Sequence, residues 1–170
     1  MAILQTMKQF PYQGRLQKFG CSTLKDLAMD SWPLKVSVVE AGAIPVILKA
    51  MRIHCTDAAL NLIACRLLYE IVNVPPLVIE DDRSINIALI QTMGHHGNDE
   101  DVLVAALEIL MAMTDPQHGE YHNEEGNGGA LESLRHQLGG VVLAKLEHGF
   151  RGRNKAISSK AEILLKRLYF

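Results

Sequence analysis

Apolar positions recur along this chain with the period of a helix rather than a strand. Four segments align without gaps: 15–28 (RLQKFGCSTLKDLA), 59–72 (ALNLIACRLLYEIV), 101–114 (DVLVAALEILMAMT) and 156–169 (AISSKAEILLKRLY). The first column of that alignment holds Leu16, Leu60, Val102 and Ile157. Four residues on stand Gly20, Ala64, Ala106 and Ala161; four further come Leu24, Leu68, Leu110 and Leu165; three more give Leu27, Ile71, Met113 and Leu168. Steps of four, four and three keep these residues on one helical face. One amphipathic helix accounts for any single copy. The small residue repeated in the second column predicts, in addition, that a neighbouring helix approaches closely there.

A second, shorter helix is predicted before each of the first three copies. Ile3-Leu4 with Met7, Ile47-Leu48 with Met51, and Leu89-Ile90 with Met93 share one internal spacing, and each Met lies nine residues before the first column. Turn and capping residues stand between the two helices. Thr56 or Asp57, and Asn98 or Asp99, are suited to cap the longer one. Before the last copy, residues 139–149 (GGVVLAKLEHG) have the right character, with a longer loop following. The offsets between copies are 44, 42 and 55 residues. A helix–turn–helix unit of this period buries its apolar face only by stacking on its neighbours.

The run 38–48 (VVEAGAIPVIL) breaks what would otherwise be one apolar helix. Gly42 adds backbone freedom, and Pro45 disfavours a helical conformation at Ile44. The break is expected to join a short helix ending at 38–40 to a second one in whose opening turn Pro45 is harmless.

Composition narrows the functional classes. Aromatic residues make up only 5%, so the core must be aliphatic, and alanine, leucine and isoleucine favour helix. The 17 Lys plus Arg are balanced by 19 Asp plus Glu, which gives no basic footprint for nucleic acid. No apolar run reaches the length of a membrane span, and the N-terminus lacks the pattern of a signal peptide. Cys21, Cys55 and Cys65 have no metal-type spacing and are expected to be reduced, mostly buried thiols of an intracellular protein.

Residues 38–51 (VVEAGAIPVILKAM) resemble the start of an armadillo repeat, in which a short first helix ends at a glycine and the second begins with a Gly-Ala-Ile-Pro-like turn. Residues 22–30 (STLKDLAMD) look like the end of the third helix of the repeat before. The resemblance covers nearly the whole chain. It implies an all-α, right-handed α-solenoid of about four armadillo-type helical repeats, the terminal ones incomplete, forming one domain over 1–170. The repeats would span about 1–30, 31–73, 74–114 and 128–170, with an inserted loop at 115–127. It also implies a groove lined by the long third helices, where proteins of this fold bind extended segments of other proteins. Peptide-binding armadillo repeats carry an Asn late in the third helix and a Trp one turn earlier. The matching positions here hold Asp26, Glu70, Ala112 and Arg167, and Ser22, Arg66, Glu108 and Ile163. The ladder of nuclear-import adaptors is therefore missing, and a receptor for nuclear-localisation signals is not expected. In the third copy, residues 80–90 (EDDRSINIALI) replace the glycine turn; Pro75-Pro76 forces an extended entry, and Asp81-Asp82 could cap the helix that follows.

Candidate chemistry is sparse. His118 and His122, with Glu120, Glu124 or Glu125, could approach a zinc set only if Gly119 and its neighbours formed a helix, which they oppose. A mobile surface loop is the expectation there. His95-His96 is expected to be an exposed turn pair. Residues 126–130 (GNGGA) lack the Lys and Ser/Thr of a phosphate loop, and the basic run 150–155 (FRGRNK) and Ser158-Ser159-Lys160 read as solvated surface.

The function expected is non-catalytic: a protein-interaction scaffold that docks a partner protein or peptide on Ser22, Asp26, Arg66, Glu70, Glu108 and Arg167. Arg66 and Glu70, four residues apart, could also pair with each other. No cofactor, metal, nucleic-acid partner or membrane insertion is expected, and the location expected is cytoplasmic, with a nuclear one also compatible. The alternatives are a metal-dependent enzyme using the His118/His122 loop, or a repeat segment of a larger regulatory protein. Ile3, Leu4 and Met7 at one end, and Leu165, Leu168 and Phe170 at the other, are expected to be poorly covered unless neighbouring repeats, or self-association through the terminal repeats, cover them.

Overall fold

The computed structural model describes residues 1–72, 82–114, 135, 144, 146–150 and 152–169. Among the described residues the chain is all-helical, without strands. It divides into two compact units, Met1–Val74 and Pro75–Phe170. The first contains α1 (Ala2–Gln9), α2 (Gly14–Asp30), α3 (Trp32–Glu40), α4 (Ala43–Ile53) and α5 (Ala58–Val72). Here α2 and α5 pack most extensively on each other, α3 lies against both, and α1 and α4 bridge them. The second contains α6 (Asp82–His95), α7 (Glu100–Met113) and a helix at Lys155–Tyr169, α8, with α7 packed against both α6 and α8.

The repeated columns face the interior. Leu60, Val102 and Ile157 of the first are fully buried, as are Leu24, Leu68 and Leu110 of the third and Ile71 and Leu168 of the fourth. Leu16, Leu165, Leu27 and Met113 are half-buried. Every member of the small-residue column is buried: Gly20, Ala64, Ala106 and Ala161. Met7, Met51 and Met93 of the shorter helices are buried as well, and so is Leu4. The expectation that Leu4 and Met7 would be poorly covered is thus wrong, because α1 lays both side chains on α2 and α4. Leu168 is likewise buried; Phe170 lies outside the described residues.

The close approach is measurable at Gly20. A Cβ there would stand 2.5 Å from Met7 Sδ and 2.8 Å from its Cγ. Met7 therefore occupies the volume that any other residue at 20 would need. Met51 precedes Ala64, and Met93 precedes Ala106, by the same thirteen residues that separate Met7 from Gly20.

The turns repeat too. Asp57 Oδ1 accepts from Leu60 N at 3.0 Å, Asp99 Oδ1 from Val102 N at 3.2 Å, and Asn154 Oδ1 from Ile157 N at 3.3 Å. In each case the cap stands three residues before the first column, so the structure selects Asp57 over Thr56 and Asp99 over Asn98. Gln13, the equivalent residue before α2, makes no side-chain cap. Gln17 instead donates from Nε2 to Met7 O and Phe10 O, both at 2.9 Å. Asn61, 44 residues on, donates from Nδ2 to His54 O at 3.0 Å and Asp57 O at 2.9 Å. Both amides are buried, and each ties the longer helix to a carbonyl at the end of the shorter one, Gln17 to Met7 O and Phe10 O and Asn61 to His54 O.

At the joint, Gly42 takes φ 77° and ψ 43°, the left-handed region. Its N–H donates to Val39 O at 2.9 Å, closing α3, and α4 starts at the next residue. Pro45 is the third residue of α4, where its missing N–H leaves no hydrogen bond unmade. Ile44 is accordingly inside the first helical turn, and the bias of a residue before proline is overridden there. Asp81 and Pro75-Pro76 lie outside the described residues.

Two expectations follow. Gly20→Leu is expected to destabilise the protein by about 1–3 kcal/mol through overpacking. Combined with Met7→Ala it should lose about 1 kcal/mol or more less than the sum of the single losses, read by a urea denaturation double-mutant cycle. Gly42→Ala meets no heavy atom within 4 Å, so its loss is conformational, about 1–2 kcal/mol by the same assay.

Candidate protein-binding face

Seen down its axis, α2 is divided cleanly. Leu16, Gln17, Gly20, Cys21, Leu24 and Ala28 point inward, while Arg15, Phe19, Asp26, Met29 and Asp30 are exposed and Ser22 is half-exposed; Thr23, also exposed, stands about 20° beyond the edge of that second set. At about 100° per residue, the second set falls within an arc of about 100° opposite the small-residue column. Ser22 and Asp26 are thus brought onto one outward stripe, and two large apolar side chains share it: Phe19 is 70% and Met29 61% exposed. Neither was singled out from sequence. The signal was available, since 19, 22, 26 and 29 follow the three-and-four spacing that defines a helical face.

The remaining candidates differ in how far they are already engaged. On α5, Arg66 is exposed, whereas Glu70 accepts from Lys35 Nζ of α3 at 2.9 Å, with side-chain exposures of 27% and 17%. Glu70 thus takes its partner from another helix rather than from Arg66 on its own. In the second unit, Glu108 of α7 pairs with Lys160 of α8 at 3.0 Å. Arg167 donates from its guanidinium to Met111 O at 2.9 Å and Thr114 Oγ1 at 3.4 Å, closing the C-terminal end of α7. Among the described residues Asp26 pairs only with its neighbour Lys25, at 3.4 Å, and keeps 66% of its side chain exposed. Of the four residues that match the family's late Asn, then, Glu70 and Arg167 are held by the protein itself, Ala112 offers no polar group, and Asp26 projects outward.

Two histidines behave differently from expectation. His96 is buried rather than exposed, because the turn that leads into α7 folds it inward: His96 N bonds Thr92 O at 3.0 Å and Asp99 N bonds His96 O at 2.9 Å. His95 is exposed, as expected. His54, which had no evident partner in sequence, shares a hydrogen bond of 2.9 Å between Nε2 and Pro11 O. Of the basic run, Arg153 and Lys155 are exposed.

Cys21, Cys55 and Cys65 are free thiols. Cys21 and Cys65 follow the small-residue column on α2 and α5 and are fully buried; burial pushes each thiol up to about 12. Among the described residues no group of three or more His, Cys, Asp or Glu could hold a metal ion, and no helix is long and apolar enough to cross a membrane. His118, His122, Glu120, Glu124 and Glu125 lie outside the described residues. Comparison with protein-family models, with curated proteins and with solved structures finds no match for this chain.

Two measurements check this account. Arg167→Met is expected to lower stability by about 1–2 kcal/mol through the loss of charge-assisted bonds at the end of α7, read as a shift of the urea midpoint. For the thiols, the neutral form is favoured in the folded state. Their contribution is therefore fully present below the unfolded-state value near 9 and is lost as pH rises from about 9 to about 12. Labelling with a thiol reagent at pH 8 should modify Cys55 in the native protein, and Cys21 and Cys65 only on unfolding.

Proposed function

We propose that this chain is a non-catalytic protein-interaction module, a right-handed armadillo-type α-solenoid that docks a partner segment on its long helices. The repeat reading is supported by the burial of all four small-residue positions, the Asp57, Asp99 and Asn154 caps at one register, and the helix–glycine–helix joint before α5. The observation that carries the docking reading is the outward stripe of α2. Single exposed apolar residues are ordinary on protein surfaces. Phe19 and Met29 are instead aligned on the stripe that holds Ser22 and Asp26, which is the arrangement of apolar anchors among polar contacts found at binding sites.

The partner contacts proposed are Ser22, Asp26 and Arg66, with Phe19 and Met29 as anchors. Glu70, Glu108 and Arg167 would take part only by exchanging their internal partners. Reduced thiols fit an intracellular site of action.

The test is capture by photo-cross-linking. A photoreactive amino acid at Ser22 should cross-link a discrete protein that the same probe at the exposed Lys49 of α4 does not. Phe19→Ser and Asp26→Lys should each reduce that adduct by about tenfold with the helical circular dichroism signal unchanged. Equal adducts from both probe positions, or an adduct indifferent to both substitutions, would place the binding site elsewhere.

A further inference from the structure

The charges of α2 are arranged against its own stability. Its first turn has no acidic residue and its last turn no basic one, and Gln13 supplies no side-chain cap. Arg15 stands instead near the positive end of the helix dipole, and Asp26 and Asp30 near the negative end. All three are exposed, on the stripe that carries Phe19 and Met29. An isolated helix loses stability by this pattern at both ends. A second helix laid antiparallel on the same stripe reverses both losses, because each charged end then meets the opposite charge.

We propose that the outward stripe of α2 pairs with the same stripe of a second copy of this chain. This rests on the reading of that stripe as a docking face, and it names a second copy as an occupant. The two α2 helices run antiparallel about a two-fold axis between Ser22 and Thr23, the midpoint of Arg15 and Asp30. Arg15 of each copy then faces Asp30 of the other, at both ends of a contact about 22 Å long. Ser22 from one side of the stripe and the exposed Thr23 at its other edge, both small, meet at the crossing, where the helix axes come nearest. Phe19 packs beside the stem of Met29 and against Asp26 of the other copy. The contact is self-complementary in charge at both ends. A single helix stripe is small, so the pairing is of the transient class rather than permanent. A partner segment docking on Phe19 and Asp26 would compete with it.

Sedimentation equilibrium of the full chain from about 10 µM to about 1 mM tests the pairing. The weight-average mass should climb from one chain towards two. Arg15→Asp and Asp30→Arg should each weaken association by about tenfold or more. An equimolar mixture of these two variants should restore association, because opposite charges then face each other at both ends; this rescue also shows that each variant is folded. A wild-type chain that stays monomeric throughout overturns the pairing, as does a mixture no better associated than its components. The two readings fail separately. A monomer that still yields the Ser22 adduct overturns only self-pairing, whereas a charge-dependent dimer with no adduct to another protein overturns only segment docking.

Discussion

The constraint on which the rest depends is the approach of a shorter helix to a longer one at a residue with almost no side chain. Met7 lies where a Cβ at Gly20 would be. A flexible, polarisable thioether suits this task because it can follow the surface of the facing helix into an irregular gap. Once the two helices are that close, the turn between them must be short, and its carbonyls must find donors within the pair. Gln17 and Asn61 supply those donors from inside the core. Asp57, Asp99 and Asn154 satisfy the amides at the start of the following helix. In the α1/α2 and α4/α5 pairs the buried amide thus ties the turn to the longer helix from inside the pair.

That division of labour leaves one side of the long helix unconstrained by packing. In α2 the inward arc is fixed by Leu16, Gly20 and Leu24, so residues on the opposite arc are free to be chosen for something else. There the chain keeps Phe19 and Met29 in water and places its charges so that they sharpen the helix dipole. Both choices reduce the stability of the isolated helix. Elsewhere, equivalent positions have been taken back into the fold: Glu70 by Lys35, Glu108 by Lys160 and Arg167 by the end of α7.

Helix positions and the inward face were legible because they rest on periodicity. Leu60, Ala64, Leu68 and Ile71 follow the spacing of a buried face and are buried. The joint at Gly42 was legible because one residue type is strongly preferred at positive φ. Contacts between helices far apart in sequence were not. Lys35 reaches Glu70, 35 residues away, and nothing local to either residue announces it. The buried amides of Gln17 and Asn61 were also missed, because a polar residue next to an apolar column reads as surface until its acceptors are located. His96 went astray for the same reason: its turn is polar, but the chain reverses so tightly that the ring is carried inside. On the outward stripe of α2, the armadillo resemblance had grouped Ser22 with Asp26, and exposure was needed to show that Phe19 shares the stripe with them.

The central claim, that one methionine-on-small-residue contact is built into successive helix pairs, can be read directly by methyl-resolved nuclear Overhauser spectroscopy. With Met ε-methyl and Ala β-methyl groups labelled, cross-peaks are expected between Met51 and Ala64 and between Met93 and Ala106, and from Met7 to the Gly20 α-protons. Absence of both methyl–methyl cross-peaks, with the Met7–Gly20 contact present alone, would contradict a repeated contact and leave only an isolated one in the first pair.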